Sequence, residues 1–158
     1  MIKKLIVTHG HVAAHLVHAA RRINAEPLGD IRVLCLEWDI TLDKARRQVS
    51  DVLRELGREE GVLILTDVFG ATPSNACGPF LERGVVEMVT GVNLPMVMRL
   101  GMQNQPNQVT ELAAWIQGKA VKSIVHVGEP LPGCKPAADY KPDDTLPAAG
   151  GGATENKP

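Results

Sequence analysis

Gly61-Val62-Leu63-Ile64-Leu65-Thr66-Asp67-Val68-Phe69-Gly70-Ala71-Thr72-Pro73 is the stretch on which the fold turns. Its apolar run, Val62 to Leu65, reads as a short strand buried on both faces, and Thr72-Pro73 opens a helix soon after it. A strand that hands over to a helix in this way is one unit of a parallel sheet. Three more apolar runs, Lys3–Thr8, Ile31–Leu36 and Val85–Thr90, alternate with stretches of helical period. The expectation is a doubly wound α/β domain with helices on both faces. Its mainly parallel, five-stranded sheet takes the flavodoxin-like order 2-1-3-4, with Val121–Val127 as a C-terminal edge strand.

The helices follow from spacing. In the first, from His11 to about Ile23, the apolar face is Val12, Leu16, Ala19, Ala20 and Ile23. In the second, Thr41 is the N-cap, Leu42, Ala45, Val49, Leu53 and Leu56 form the buried stripe, and Gly57 is the stop. The third starts with Thr72 as cap residue ahead of Pro73 and runs to about Arg83-Gly84. The fourth covers Asn107 to Lys119, with Val109, Leu112 and Ile116 inward.

With 158 residues, 44% of them apolar and 22% charged, the chain has the composition of one ordinary globular domain. Seventeen Lys and Arg against eighteen Asp and Glu leave a formal charge of −1, without the basic excess that draws proteins onto nucleic acid or anionic lipid. The apolar run near Met1 is too short for a signal-peptide core or a membrane span, so a cytoplasmic location and no membrane insertion are expected. Cys35, Cys77 and Cys134 are odd in number and far apart, which suits free thiols. From Glu129 onward Pro and Gly dominate and apolar periodicity is lost. The expected division is therefore a folded domain over 1–128 and a disordered tail over 129–158.

In open parallel sheets, function gathers at the carboxyl ends of the strands. There the first strand brings His9 and Gly10, and the third brings Asp67, Gly70, Ala71 and Thr72. Strands one and three are neighbours in the expected order, which sets His9 beside Asp67. A carboxylate on Nδ1–H would leave Nε2 as a nucleophile, and the amides around Gly10 to Val12 and Gly70 to Thr72 would suit phosphoryl oxygens. Dinucleotide, P-loop and G-x-S-x-G motifs are missing, and no cofactor is required. Plainer readings stand beside this one: His9 as a strand-end histidine, Asp67 as a turn residue, Thr72 as a cap. A metal- or ligand-binding module is the other alternative. His11, His15 and His18 share a helical face, but no nearby Glu or Cys completes a ligand set, so no metal is expected.

Three motifs carry a resemblance: Val7-Thr8-His9-Gly10; Gly61 to Asp67 with Gly70, Thr72-Pro73 and Asn75-Ala76; and Gly91-Val92-Asn93-Leu94-Pro95-Met96. Over roughly Met1 to Val127 the sequence resembles the IIA phosphocarrier domain of the mannose-type sugar phosphotransferase system (PTS). The resemblance implies that His9 accepts a phosphoryl group from the phosphocarrier protein HPr, with Asp67 as its hydrogen-bonded partner and Thr72 near the phosphate. It also implies a homodimer with Val121–Val127 exchanged between subunits, and a IIB component as acceptor. His11 stands where sugar-transporting members carry a tryptophan. Because the Pro/Gly-rich tail ends at Pro158 without a IIB domain, the acceptor is expected to be a separate IIB chain or a regulatory protein, the latter making this a regulatory phosphoprotein without sugar transport.

Overall fold

The computed structural model describes residues 1–24 and 28–128. In chain order the elements are β1 (Lys3–His9), α1 (Val12–Ile23), β2 (Ile31–Leu36), α2 (Leu42–Leu56), β3 (Val62–Thr66), α3 (Thr72–Cys77), β4 (Val86–Thr90), α4 (Leu94–Arg99) and α5 (Val109–Val121). All strand pairs are parallel, in the order β2-β1-β3-β4. The flavodoxin-like order expected for strands one to four is therefore present, on a four-stranded sheet.

Each face of the sheet carries its own core. Ile6, Leu63 and Leu65 pack under α1, α4 and α5, while Leu5, Val7, Val62 and Ile64 pack under α2 and α3. Both cores come from one alternation along the same strands, because successive side chains leave a strand on opposite faces. Burying one such Leu or Ile contributes about 1.5–3 kcal/mol, which explains why these runs are continuously apolar.

Helix α2 matches its sequence pattern. Thr41 Oγ1 accepts the Lys44 N–H at 3.4 Å, and Ala45, Val49 and Leu53 are buried. In α5, Val109, Leu112 and Ile116 point inward as their spacing requires. Four details differ from expectation. The buried line of α1 is Ala13, Val17 and Ala20, with Val12 and Ile23 exposed. Two apolar lines overlap on that helix, and the one rich in alanine is the one that faces the core. Helix α3 ends at Cys77 because Pro79 has no N–H to continue it, and a single 3₁₀ turn follows over Gly78–Phe80. Thr72 is its first helical residue; Ala71 is the cap and makes no side-chain bond. Helix α4 was not anticipated, although Asn93 followed by Leu94-Pro95 carries its signal: Asn93 Oδ1 accepts the Met96 N–H at 3.0 Å.

The fourth difference is the C-terminal strand. Val121 closes α5, Lys122 and Ser123 turn, and residues 124–128 form no regular secondary structure. A strand exists only against a neighbour, and among the described residues none pairs with this segment. Val121, Ile124, Val125 and Val127 are left exposed. Met1–Ile124 form one compact unit; of the second, Val125–Pro158, only residues 125–128 are described. The expected tail over 129–158 and Cys134 lie outside the described residues.

Candidate functional site

Val7 of β1 pairs with Thr66 of β3, so the two chains leave the sheet side by side at its carboxyl edge. His9 and Asp67 meet there. Asp67 Oδ2 accepts the His9 backbone N–H at 2.9 Å and lies 2.8 Å from His9 Nδ1, while Oδ1 accepts the Val68 N–H at 2.8 Å. The Asp67 carbonyl takes the Gly91 N–H at 2.9 Å, which ties the β3 end to the β4–α4 connection. Both side chains are largely shielded, 22% and 14% exposed.

Burial by itself raises the Asp67 carboxyl, but the His9 backbone N–H, the His9 ring and the Val68 N–H together outweigh it, so Asp67 sits below its ordinary range. An ionised carboxylate is acceptor only. The 2.8 Å contact therefore places a proton on His9 Nδ1 and, in the neutral ring, leaves Nε2 with its lone pair.

The start of α1 is held by Thr8, whose buried Oγ1 accepts the Ala13 N–H at 2.9 Å, so His11, the N-cap residue, makes no capping bond. Gly10 turns the chain at φ +47° and donates its N–H to the Leu36 carbonyl at 2.7 Å. Its amide is thus engaged within the sheet and is not free for a ligand. Ala71 N–H likewise reaches the Val68 carbonyl at 3.4 Å. The amides of His11, Val12, Gly70 and Thr72 donate to no group among the described residues. Gly70, at φ +81°, lets the β3–α3 loop turn, and Asn75 Nδ2 secures the Gly70 carbonyl at 2.6 Å. Gly70, Ala71 and Thr72 share the carboxyl edge with His9, but no hydrogen bond joins them to it.

Trp38 is the residue that pattern reading missed. It lies in the β2–α2 connection, 76% exposed, and its ring stacks on His9 with centroids 5.6 Å apart and planes 14° from parallel. Phe69 and Val68 are also exposed, beside Asp67 in sequence. The only available signal was position: an aromatic residue just beyond a strand at the carboxyl edge, in a chain with two tryptophans.

Among the described residues the other histidines gather no set of three metal-ligating side chains. His11 and His15 meet edge to face at 6.4 Å. Burial pushes the Cys77 thiol up to about 12, which leaves it protonated and inert. A cavity of about 600 Å³ is lined by Asn24, Pro95, Met98, Arg99 and Met102 and includes neither His9 nor Asp67. The His9–Asp67 pair lies apart from it, at the carboxyl edge of the sheet. Among the described residues, no helix is long and apolar enough to cross a membrane.

Comparison with known proteins agrees with the fold and with the family that the sequence resembles. A family model described as the PTS system fructose IIA component matches residues 3–117. The PTS fructose-specific EIIA component of Bacillus subtilis (strain 168) is 26% identical over 147 residues, spanning 92% of this chain and 100% of that protein. Among solved structures, the mannose/sorbose specific IIA subunit from Enterococcus faecalis has a TM-score of 0.70 at 23% identity, covering 82% of this chain and 98% of that one. The EIIA component from Streptococcus agalactiae has a TM-score of 0.67 at 22% identity, covering 80% of this chain and 97% of that one. The structural likenesses carry the fold, and the family match carries more: this chain belongs to the IIA component family of the phosphotransferase system.

Proposed function

We propose that the chain is a cytoplasmic phosphohistidine carrier, a protein-histidine phosphotransferase that takes a phosphoryl group from phospho-HPr on His9 and passes it to a IIB component. The supporting observation is the 2.8 Å contact between His9 Nδ1 and Asp67 Oδ2, which reserves Nε2 for attack. In the transfer, the Nε2 lone pair forms the bond to phosphorus as the bond from phosphorus to the donor breaks, and that electron pair stays on the donor. The ring gains positive charge, which the Asp67 carboxylate stabilises while Nδ1 keeps its proton. The free amides of His11, Val12, Gly70 and Thr72, with the Thr72 hydroxyl, are the groups we assign to the phosphoryl oxygens. Gly10 contributes its bend and its lack of a side chain.

The same reading includes a homodimer in which the part of the Val121–Val127 segment beyond α5, residues 124–127, pairs with the partner subunit. Exposed Ile124, Val125 and Val127, in a segment without a strand neighbour among the described residues, support it. Incubation with phosphoenolpyruvate and the general phosphotransfer proteins should add one acid-labile, base-stable phosphate, at His9. Label on His11, His15 or His18 would overturn the assignment. Label that stays on the protein when a IIB component is supplied would favour a regulatory phosphoprotein over a carrier.

A further inference from the structure

Trp38 has no part in the carrier reading, and its placement is unusual. Most of the indole faces water, where so large an apolar group gains little. Its ring nevertheless lies nearly flat on His9, 5.6 Å between centroids and 14° between planes. It also sits close over residue 10, where a side chain would have to push it away by a few tenths of an ångström. A Cβ on Gly10 would come within 3.0, 3.1 and 3.2 Å of the indole Nε1, Cε2 and Cζ2. The bare backbone of Gly10 is therefore the floor on which the indole rests beside the imidazole.

Resting on the carrier reading, we propose that Trp38 is a positioning residue for His9, holding the imidazole plane and covering one face of the phosphohistidine. Asp67 fixes a single atom of the ring, Nδ1, about which the plane can still rock. The flat indole removes that freedom and so keeps the Nε2 lone pair on one line of approach. As phosphorus bonds to Nε2 the ring becomes cationic, and the indole face favours a cation stacked on it. The same indole keeps water from one side of the phosphorylated ring, which should lengthen the lifetime of the phosphoryl bond.

Tryptophans near a reactive group also serve as docking anchors for protein partners, so the test uses two donors. Phosphoramidate is a small chemical donor that needs no docking surface; phospho-HPr does need one. Trp38→Ala should slow phosphorylation of His9 about two- to tenfold with both donors, the size expected for one aromatic pair. Trp38→Phe should recover most of that rate, and phosphorylated Trp38→Ala should lose its label to water faster than the parent. In a Trp115→Phe background, Trp38 emission should change on phosphorylation. Slowing confined to phospho-HPr would overturn the proposal and make Trp38 a docking residue, and equal rates for Trp38→Ala and the parent with both donors would overturn it as well. NMR relaxation of the His9 ring in the unphosphorylated protein separates this inference from the carrier reading. The ring should become more mobile in Trp38→Ala whether or not the protein carries phosphate, and unchanged mobility would refute the positioning role.

Discussion

The two ends of the sheet each hold a shielded charged group, and they treat it differently. Near the amino end Lys4 is buried, and its Nζ donates to the Leu100 carbonyl at the end of α4, 2.9 Å away. Burial lowers its pKa, and a backbone carbonyl, which cannot exchange a proton, is its partner. At the carboxyl end Asp67 is matched with a ring whose second nitrogen is left over, next to the exposed Trp38. Burial of charge is thus common to both ends. What separates them is the partner: a backbone carbonyl at the amino end, and at the carboxyl end a ring whose second nitrogen makes no hydrogen bond among the described residues.

That contrast can be broken by substitution. The largest expected effect is His9→Ala, which should abolish acceptance of phosphate from phospho-HPr while leaving the fold intact, as read by label incorporation and circular dichroism. Asp67→Asn comes next and should slow single-turnover transfer on the order of 10²-fold, the usual scale for a misplaced proton partner. Unchanged rates would reduce Asp67 to a turn residue.

Asp67 also has a pH signature. Its folded pKa lies below the ordinary value of 3.8, so its contribution to stability is complete above that value and is lost as the pH falls through the lowered pKa. The gap in melting temperature between the parent and Asp67→Asn should therefore shrink as the pH falls below about 4. Thr8→Val removes the hydroxyl that caps α1 and should cost about 1 kcal/mol in denaturant unfolding. Lys4→Met should have the smallest effect. It trades a charged hydrogen bond for relief of burial, so stability should move by less than about 1 kcal/mol and transfer should be unaffected. A transfer defect in Lys4→Met would mean the two ends of the sheet are coupled.

Much of this was readable before any coordinates. The four paired strands are apolar because both faces are covered, and the rule that parallel strands gather function at their carboxyl ends brought His9 to Asp67. Periodicity failed where it was degenerate, as on α1, where the lines through Val12 and through Ala13 both fit a helix. It also failed where the deciding interaction is local and aperiodic: the Gly10 amide spent on Leu36, the Asn93 cap and the stacked Trp38. For Val121–Val127 the apolar run began too early, since Val121 closes α5, and no strand neighbour for residues 124–127 lies among the described residues.

The Gly10 hydrogen bond also bears on hydrogen exchange. The Gly10 amide, held by the Leu36 carbonyl at 2.7 Å, can exchange with solvent only when the ends of β1 and β2 part. The His11 and Val12 amides, with no such acceptor among the described residues, have no comparable barrier. Three consecutive amides at the mouth of the site thus form a clock with one slow and two fast hands, and the slow one reports how often this corner of the sheet opens.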